Sequence, residues 1–256
     1  MVDHQGRLAL WYDSENQGFT AFLCSASEDT FMGKLFLVPT PIGNLSDMTY
    51  RGVATLKAVD LVLAEDTRQT KKLMEHYAII NSLKAYHQHN EHQLTPKLIE
   101  ELQYSYKVMA LCSDAGTPGI SDPGFLLARS CIQAGIPVEA LPGATAFLPA
   151  LLQAGLPADR FVFEGFLPHK KGRQKRLEYL AALDETIILY VSPHRLVKTL
   201  QQCADYFGQE RPASLSRELT KYYETTVRGS LGSLAQHYAA SSKIKGEIVL
   251  IIHGKA

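Results

Sequence analysis

Two sharp turns constrain this chain more than any other feature. Residues 38–45 read V-P-T-P-I-G-N-L, and residues 111–124 read L-C-S-D-A-G-T-P-G-I-S-D-P-G. Each follows an apolar run of strand type: Leu35, Phe36 and Leu37 before the first, residues 108–111 before the second. Such turns at the carboxyl ends of strands are where an open α/β sheet places its ligand. Pro39 and Pro41 stiffen the first turn, and Gly43 frees the backbone to bend. In the second, Asp114 puts a carboxylate beside Gly116 and Pro118. Neither turn is a G-x-G-x-x-G or a G-x-x-x-x-G-K-[ST], so the usual dinucleotide and nucleotide-phosphate mechanisms lack their residues.

From Lys34 onward, segments of strand and helix type alternate. Strands are expected at 35–38, 61–64, 83–86, 108–111 and 138–141, with helices at 49–58, 67–77, 93–105, 123–134 and 145–153. This alternation predicts a largely parallel sheet covered by helices. The segment 161–166, followed by Leu167-Pro168 and a basic run, reads as a boundary. Beyond it a helix is expected at 172–183, then strands at 186–191, 213–219, 224–228 and 247–253, with helices at 194–207 and 231–240. A short turn near 221–223 joins two of these strands and predicts a mixed sheet. The reading is two α/β domains, 34–163 and 164–256, preceded by an extension, 1–33, with the only tryptophan, Trp11, and no clear period. Met32 is a plausible internal start.

At 256 residues, with 46% hydrophobic and 20% charged residues, the chain can bury the cores of an ordinary globular protein. No apolar run approaches the ~20 residues of a membrane span, and no signal peptide is visible, so a cytoplasmic location is expected. Cys24, Cys112, Cys131 and Cys203 are widely spaced, which argues against a zinc ribbon or a disulfide framework. The net charge is zero but unevenly placed: residues 1–163 carry 12 Lys/Arg against 17 Asp/Glu, and residues 164–256 carry 14 against 9. The sharpest basic feature is H-K-K-G-R-Q-K-R at 169–176. Such a cluster meets phosphates or simply solvates a first helical turn.

The two turns occur in order with A-E-D-T-R (64–68), H-N-E (89–91), L-P-G-A-T-A (141–146), E-G-F-L-P-H-K-K-G-R (164–173), S-P-H-R (192–195) and R-E-L-T-K (217–221). Eight motifs in this order resemble the small-subunit ribosomal RNA methyltransferases of the tetrapyrrole methylase superfamily, over residues 34–255. The resemblance implies two α/β domains with a cofactor cleft between them and S-adenosylmethionine as methyl donor. It implies as acceptor the 2′-hydroxyl of a cytidine in the decoding region of 16S ribosomal RNA in the small ribosomal subunit, and a homodimeric enzyme. It points to Pro41, Ser113, Asp114, Thr117, Thr145, Ala146 and Val191 as donor-binding residues.

Strand-end backbone offers N–H and C=O groups that an adenine or an ammonium can use, and the small Ala146 allows close approach. For Asp114 the alternative is a turn-forming Asx interaction. Glu65 and Arg68 are the catalytic candidates, placed where the strand 61–64 ends. Asp66, just before Thr67, suits a helix N-cap. His87, His89 and His92 lack the i, i+4 pairing of a helical zinc site, and no metal is expected. Lys170, Lys171, Arg173 and Arg176 of the basic run are candidates for RNA contact. So is Arg195, in a helix opening after Pro193. Arg217, Glu218 and Lys221 form a further polar group, with a surface ion pair as its plain reading.

Two departures from the family pattern stand out: Val191 replaces a glutamate usual before S-P-H-R, and the C-terminal helical extension of some relatives is missing. Two other readings compete, a methylase of a tetrapyrrole or corrin precursor and a non-enzymatic RNA-binding module. The basic run with S-P-H-R favours RNA, because neither is needed to hold a macrocycle.

Overall fold

The computed structural model describes residues 9–13, 18–22, 33–241 and 244–255. Strands β1 (Ala9–Asp13) and β2 (Gly18–Phe22) form an antiparallel pair. Beyond them the chain divides into two compact units. The first runs up to Pro41 and resumes over Leu45–Ala144; the second is Ile42–Asn44 with Thr145–Ala256.

The first unit is built from β3 (Lys34–Leu37), α1 (Tyr50–Ala58), β4 (Leu61–Ala64), α2 (Thr67–His76), β5 (Leu83–Ala85), α3 (Glu91–Tyr104), β6 (Val108–Cys112), α4 (Phe125–Gln133) and β7 (Val138–Ala140). Its sheet is parallel throughout, in the order β5-β4-β6-β3-β7. The strand alternation sends Phe36, Val62, Ala110 and Cys112 to one face, with Leu56 of α1 and Met74 of α2. Leu35, Leu63, Met109 and Leu111 go to the other, with Leu98 and Leu102 of α3 and Leu127 and Cys131 of α4. Both faces are covered, as a parallel sheet requires.

Local signals set the helix ends. Thr49 caps α1 by accepting the Gly52 N–H, and Asp66 caps α2 by accepting the Arg68 N–H, both at 2.9 Å. Asn90 accepts the His87 N–H at 2.8 Å, so α3 starts at Glu91, ahead of the expected 93. Helix α4 starts later than expected, because Gly124 at φ 136° still belongs to the turn.

The second unit contains α5 (Phe147–Ala154), β8 (Phe161–Phe166), α6 (Arg173–Ala181), β9 (Thr186–Val191), α7 (Leu196–Phe207), β10 (Pro212–Arg217), β11 (Thr225–Ser230), α8 (Leu231–Ala239) and β12 (Ile248–Ile252). Its sheet order is β11-β10-β12-β9-β8. Only the β8–β9 pair is parallel, so the sheet is mixed, as expected. Helices α6, α7 and α8 supply Leu177, Leu200 and Leu234 to a core with Ile187, Leu189, Leu215 and Leu250. Helix α5 lies against β10, β11 and β12.

The division at Ala144/Thr145 thus precedes the expected 163/164, which falls inside β8. Segment 161–166 is an edge strand paired with β9. A register shift between Phe163 and Gly165 leaves Glu164 as the extra residue of a bulge.

Candidate active site

The turns after β3, β6 and β7 form one stapled group at the carboxyl edge of the first sheet. Thr40 and Gly116 exchange both backbone hydrogen bonds at 2.9 Å. The Thr40 hydroxyl donates to the Ser113 carbonyl at 3.1 Å, and the Ser113 hydroxyl donates to the Gly116 carbonyl at 3.1 Å. Thr117 Oγ1 donates to the Ala144 carbonyl at 3.0 Å. Gly143 lies so close to Pro39 that an added Cβ would stand 2.6 Å from the proline Cβ. Ser113 and Thr117, both candidate donor contacts, therefore build the loops with their hydroxyl protons. Pro41 is buried beside the buried Thr40. Thr40 is a residue that sequence reasoning missed. Its signal was a lone hydroxyl between two prolines.

Next to this group, the ends of β4 and β6 bring carboxylates together. Asp114 Oδ1 accepts the Asp66 N–H at 2.9 Å, which joins the second turn to the start of α2. Glu65 is half-buried and its pKa is raised, first by burial and then by the negative charge of Asp114. Asp114 is raised as well, first by desolvation, with Asp66 adding repulsion. Asp66 differs because Arg68 neutralises it. The guanidinium donates at 3.0 Å and 2.6 Å, and the Arg68 N–H adds a third bond, holding Asp66 down to about 2. Arg68 is thus an exposed partner of the N-cap.

His87 is the second residue the sequence undervalued. Its Nδ1 is buried without a hydrogen-bond partner, its charge acts on Glu65, and its ring meets His89 edge-on at 5.9 Å. A polar atom buried unpaired in this way is uncommon and marks a place where a ligand group or water completes the set.

In the second unit, Thr145 and Ala146 lead into α5, and Ala146 is its N-cap in helical geometry. Val191 ends β9, pairs with Ile248 and is buried in the apolar cluster. At this position the chain has a core side chain where relatives were expected to have a charge.

The basic run separates into two kinds of residue. Arg173 is half-buried and donates to Gln202 Oε1 at 2.9 Å, to Thr199 Oγ1 at 3.0 Å and to the Pro168 carbonyl at 3.1 Å. Arg176 forms a two-pronged ion pair with Glu164, the bulge residue of β8, and covers the Tyr179 ring at 4.8 Å. Lys170, Lys171, Lys175, His194, Arg195 and Lys198 are exposed. The arginines brace the surface; the lysines and Arg195 present charge to solvent.

Among the described residues no group of His, Cys, Asp and Glu is arranged to hold a metal ion, and no helix is long and apolar enough to cross a membrane. Cys112, Cys131 and Cys203 are free and buried, and burial pushes each thiol up to about 12. Cys24 lies outside the described residues.

Comparison with known proteins identifies the family and the fold. The family model for tetrapyrrole (corrin/porphyrin) methylases matches residues 34–235. A protein from Synechocystis sp. named ribosomal RNA small subunit methyltransferase I is 51% identical over 224 residues, 87% of this chain and 80% of that protein. The protein of the same name from Escherichia coli O157:H7 is 48% identical over 230 residues, 89% of this chain and 80% of that one. Among solved structures, diphthine synthase matches with a TM-score of 0.68 at 13% identity, covering 86% of this chain and 90% of that one. Uroporphyrin-III C-methyl transferase from Thermus thermophilus, complexed with S-adenyl homocysteine, matches with a TM-score of 0.60 at 19% identity, covering 86% and 97%. At such identities the structures establish the fold. With the family match and the 51% identical relative, the chain belongs to the tetrapyrrole methylases and, within them, to the ribosomal RNA small subunit methyltransferase I family.

Proposed function

We propose that this protein transfers the methyl group of S-adenosylmethionine to the ribose 2′-hydroxyl of a cytidine in the decoding region of 16S ribosomal RNA. The observation that carries the reading is the 48–51% identity, over most of the chain, to proteins named for methylating small-subunit ribosomal RNA. The same identity favours RNA over a tetrapyrrole precursor as substrate. A binding module without chemistry is disfavoured by the carboxyls of Glu65 and Asp114, which burial raises at the sheet edge.

The residues of the first unit suit the donor. Asp114 is an exposed carboxylate that forms no ion pair among the described residues and feels Arg68 only at a distance, so it is fit to meet an ammonium or ribose hydroxyls. The contact of Gly143 with Pro39 is a close approach that a Cβ would block. Pro41, Ser113, Asp114 and Thr117 are the proposed contacts there; Thr145, Ala146 and Val191 rest on the family resemblance alone. The bound donor supplies a methyl carbon already activated by its sulfonium.

What remains for the protein is to position the acceptor and take its proton, and positioning alone supplies ~7–11 kcal/mol in favourable cases. Glu65 is the proposed base, since a carboxylate of raised proton affinity is better matched to a ribose hydroxyl than an ordinary one. Arg68 holds the Asp66 cap that sets the start of α2, and so acts on the site through its geometry.

Lys170, Lys171 and Arg195 are the proposed phosphate contacts, joined by Lys175. Arg173 and Arg176 shape that surface and add to its field. The enzyme works in the cytoplasm as a homodimer on the small subunit; two-fold pairing is the commonest symmetric assembly. Light scattering tests the dimer, and a monomer would overturn it. The test of function is methyl transfer from labelled S-adenosylmethionine to small subunits and to free 16S ribosomal RNA, with the product mapped by mass spectrometry. Label in a ribose of the decoding region is the expected result. A base-methylated product, or none from either substrate, would refute it.

A further inference from the structure

Two neighbouring residues of the R-E-L-T-K motif hold a backbone conformation that L side chains rarely adopt. Glu218 has φ 54° and Thr220 has φ 65°, on either side of the buried Leu219. A β-branched residue in this region is a true outlier, and such outliers persist only where the surroundings over-determine them.

The surroundings here do so. Glu218 donates its N–H to the Glu247 carbonyl, and its carboxylate accepts the Glu247 N–H, both at 2.9 Å. Lys221 Nζ bridges Glu218 and Glu247 at 3.0 Å each. The Thr220 N–H donates to Glu224 at 2.6 Å. Glu218 also fills the space beside Gly246, where an added Cβ would lie 2.4 Å from its Cδ.

This braced turn grips the tip of the first loop. Thr220 Oγ1 accepts the Asn44 N–H at 3.0 Å. A Cβ on Gly43 would stand 2.4 Å from Lys221 Cγ and 2.8 Å from Thr220 Oγ1. Ile42, next in the chain, is buried, and the residue before it is Pro41. Residues Ile42–Asn44 group with the second unit for this reason.

We infer that the turn Glu218–Lys221 is a clamp on the loop tip Ile42–Asn44, and that Thr220 is thereby a positioning residue for the donor contact at Pro41. The inference rests on the proposed donor site. The rare backbone angle at Thr220 is what aims its hydroxyl at the Asn44 amide.

The test uses Thr220→Gly in the full chain, because glycine accepts a left-handed φ but has no hydroxyl. The melting temperature should hold or rise. The affinity for S-adenosylhomocysteine should fall roughly five- to tenfold, the loss of one hydrogen bond. KM for the donor should rise by the same factor, with little change in kcat. Hydrogen exchange at the Asn44 amide should quicken, and Thr220→Ser should restore both affinity and protection. A purely structural residue would move melting and affinity together. Gly43→Ala is the second variant: its Cβ would press on Lys221 Cγ and Thr220 Oγ1, so weaker donor affinity and faster exchange at the Asn44 amide are expected, with some loss of melting temperature. Wild-type exchange at Asn44 in Thr220→Gly overturns the clamp whether or not the donor reading is right. Wild-type donor affinity in both variants overturns the positioning role. Wild-type protein that fails to bind S-adenosylhomocysteine refutes the donor site instead, while faster exchange at Asn44 would still support the clamp.

Discussion

The two units each hold a pair of close carboxylates, and the pairs are electrostatic opposites. In the first unit Glu65 and Asp114 form no ion pair among the described residues; His87 and Arg68 act on them only at a distance, and burial raises both carboxyls. In the second, Glu218 and Glu247 share Lys221. Burial alone would raise Glu218, but the Glu247 N–H and the ammonium outweigh it and hold the carboxyl low. The difference separates the proposed site from a strut. Charge left unbalanced at a strand end is available for chemistry, whereas balanced charge holds a backbone in place.

The largest effect that tests this contrast comes from Glu65→Gln. Removing the proposed general base should lower kcat by about 10²- to 10⁴-fold, with S-adenosylhomocysteine affinity unchanged by calorimetry. The same variant should be more stable than wild type at pH 7. The sign follows from the raised carboxyl: with a folded pKa above the ordinary 4.5, the native state loses stability as pH rises from 4.5 through that value. Glu218→Gln should do the reverse. Its depressed carboxyl gives stability that is present above 4.5 and lost as pH falls through the folded value. Urea melts at pH 7 and pH 3.5 check both signs. An active Glu65→Gln enzyme, or the same sign of stability change in both variants, would dissolve the distinction.

Asp114→Ala ranks next. It removes the acceptor of the Asp66 N–H and the proposed donor contact. Losing a charged hydrogen bond of about 1.5–3 kcal/mol should weaken donor binding roughly 10- to 100-fold. Calorimetric titration at wild-type affinity would remove Asp114 from the site.

Much of the first unit could be read in the sequence. In a sheet covered on both faces, the inner strands β3, β4 and β6 are short apolar runs and every connection is a helix, so alternation shows directly. The second unit was harder. Strand β8 is an edge strand with a bulge at Glu164, and it lacks the clean alternation that marks a half-buried strand. Read as sequence it resembles a boundary, whereas in the fold it pairs with β9. The antiparallel pair β1–β2 lies in a stretch without visible period. Composition also shows charge but not its partners. Arg173 and Arg176 look like Lys170 and Lys171 in the run, yet only the fold brings Glu164, Thr199 and Gln202 to the arginines. His87 was visible as a histidine, but its buried, unpaired nitrogen depends on packing.

That division of the basic run extends the comparison from carboxylates to cations. Neutralising Lys170, Lys171, Lys175 and Arg195 together should flatten the dependence of small-subunit binding on salt. The log–log slope should fall by about 3 if each meets one phosphate, and the melting temperature should stay the same. Arg173→Met should lower the melting temperature and change the slope less, since its guanidinium is held by three internal acceptors. Equal slopes for the lysine variant and wild type would make the run a solvated turn.

The smallest effect is expected at the strut itself. Lys221→Met keeps the stem that packs beside Gly43 but removes the ammonium shared by Glu218 and Glu247. Glu247 is exposed, so that contact contributes little; Glu218 is more enclosed and is left without its cation. The cost should be about 1 kcal/mol near neutral pH, at the upper end for partly exposed pairs. It should shrink as pH falls below 4.5, where Glu218 takes up a proton and no longer needs the cation. Kinetics at saturating donor should be near wild type, because Thr220 still holds the Asn44 amide. A loss of kcat comparable to that of Glu65→Gln, with the fold intact, would place Lys221 among the reacting groups and end the contrast between site and strut.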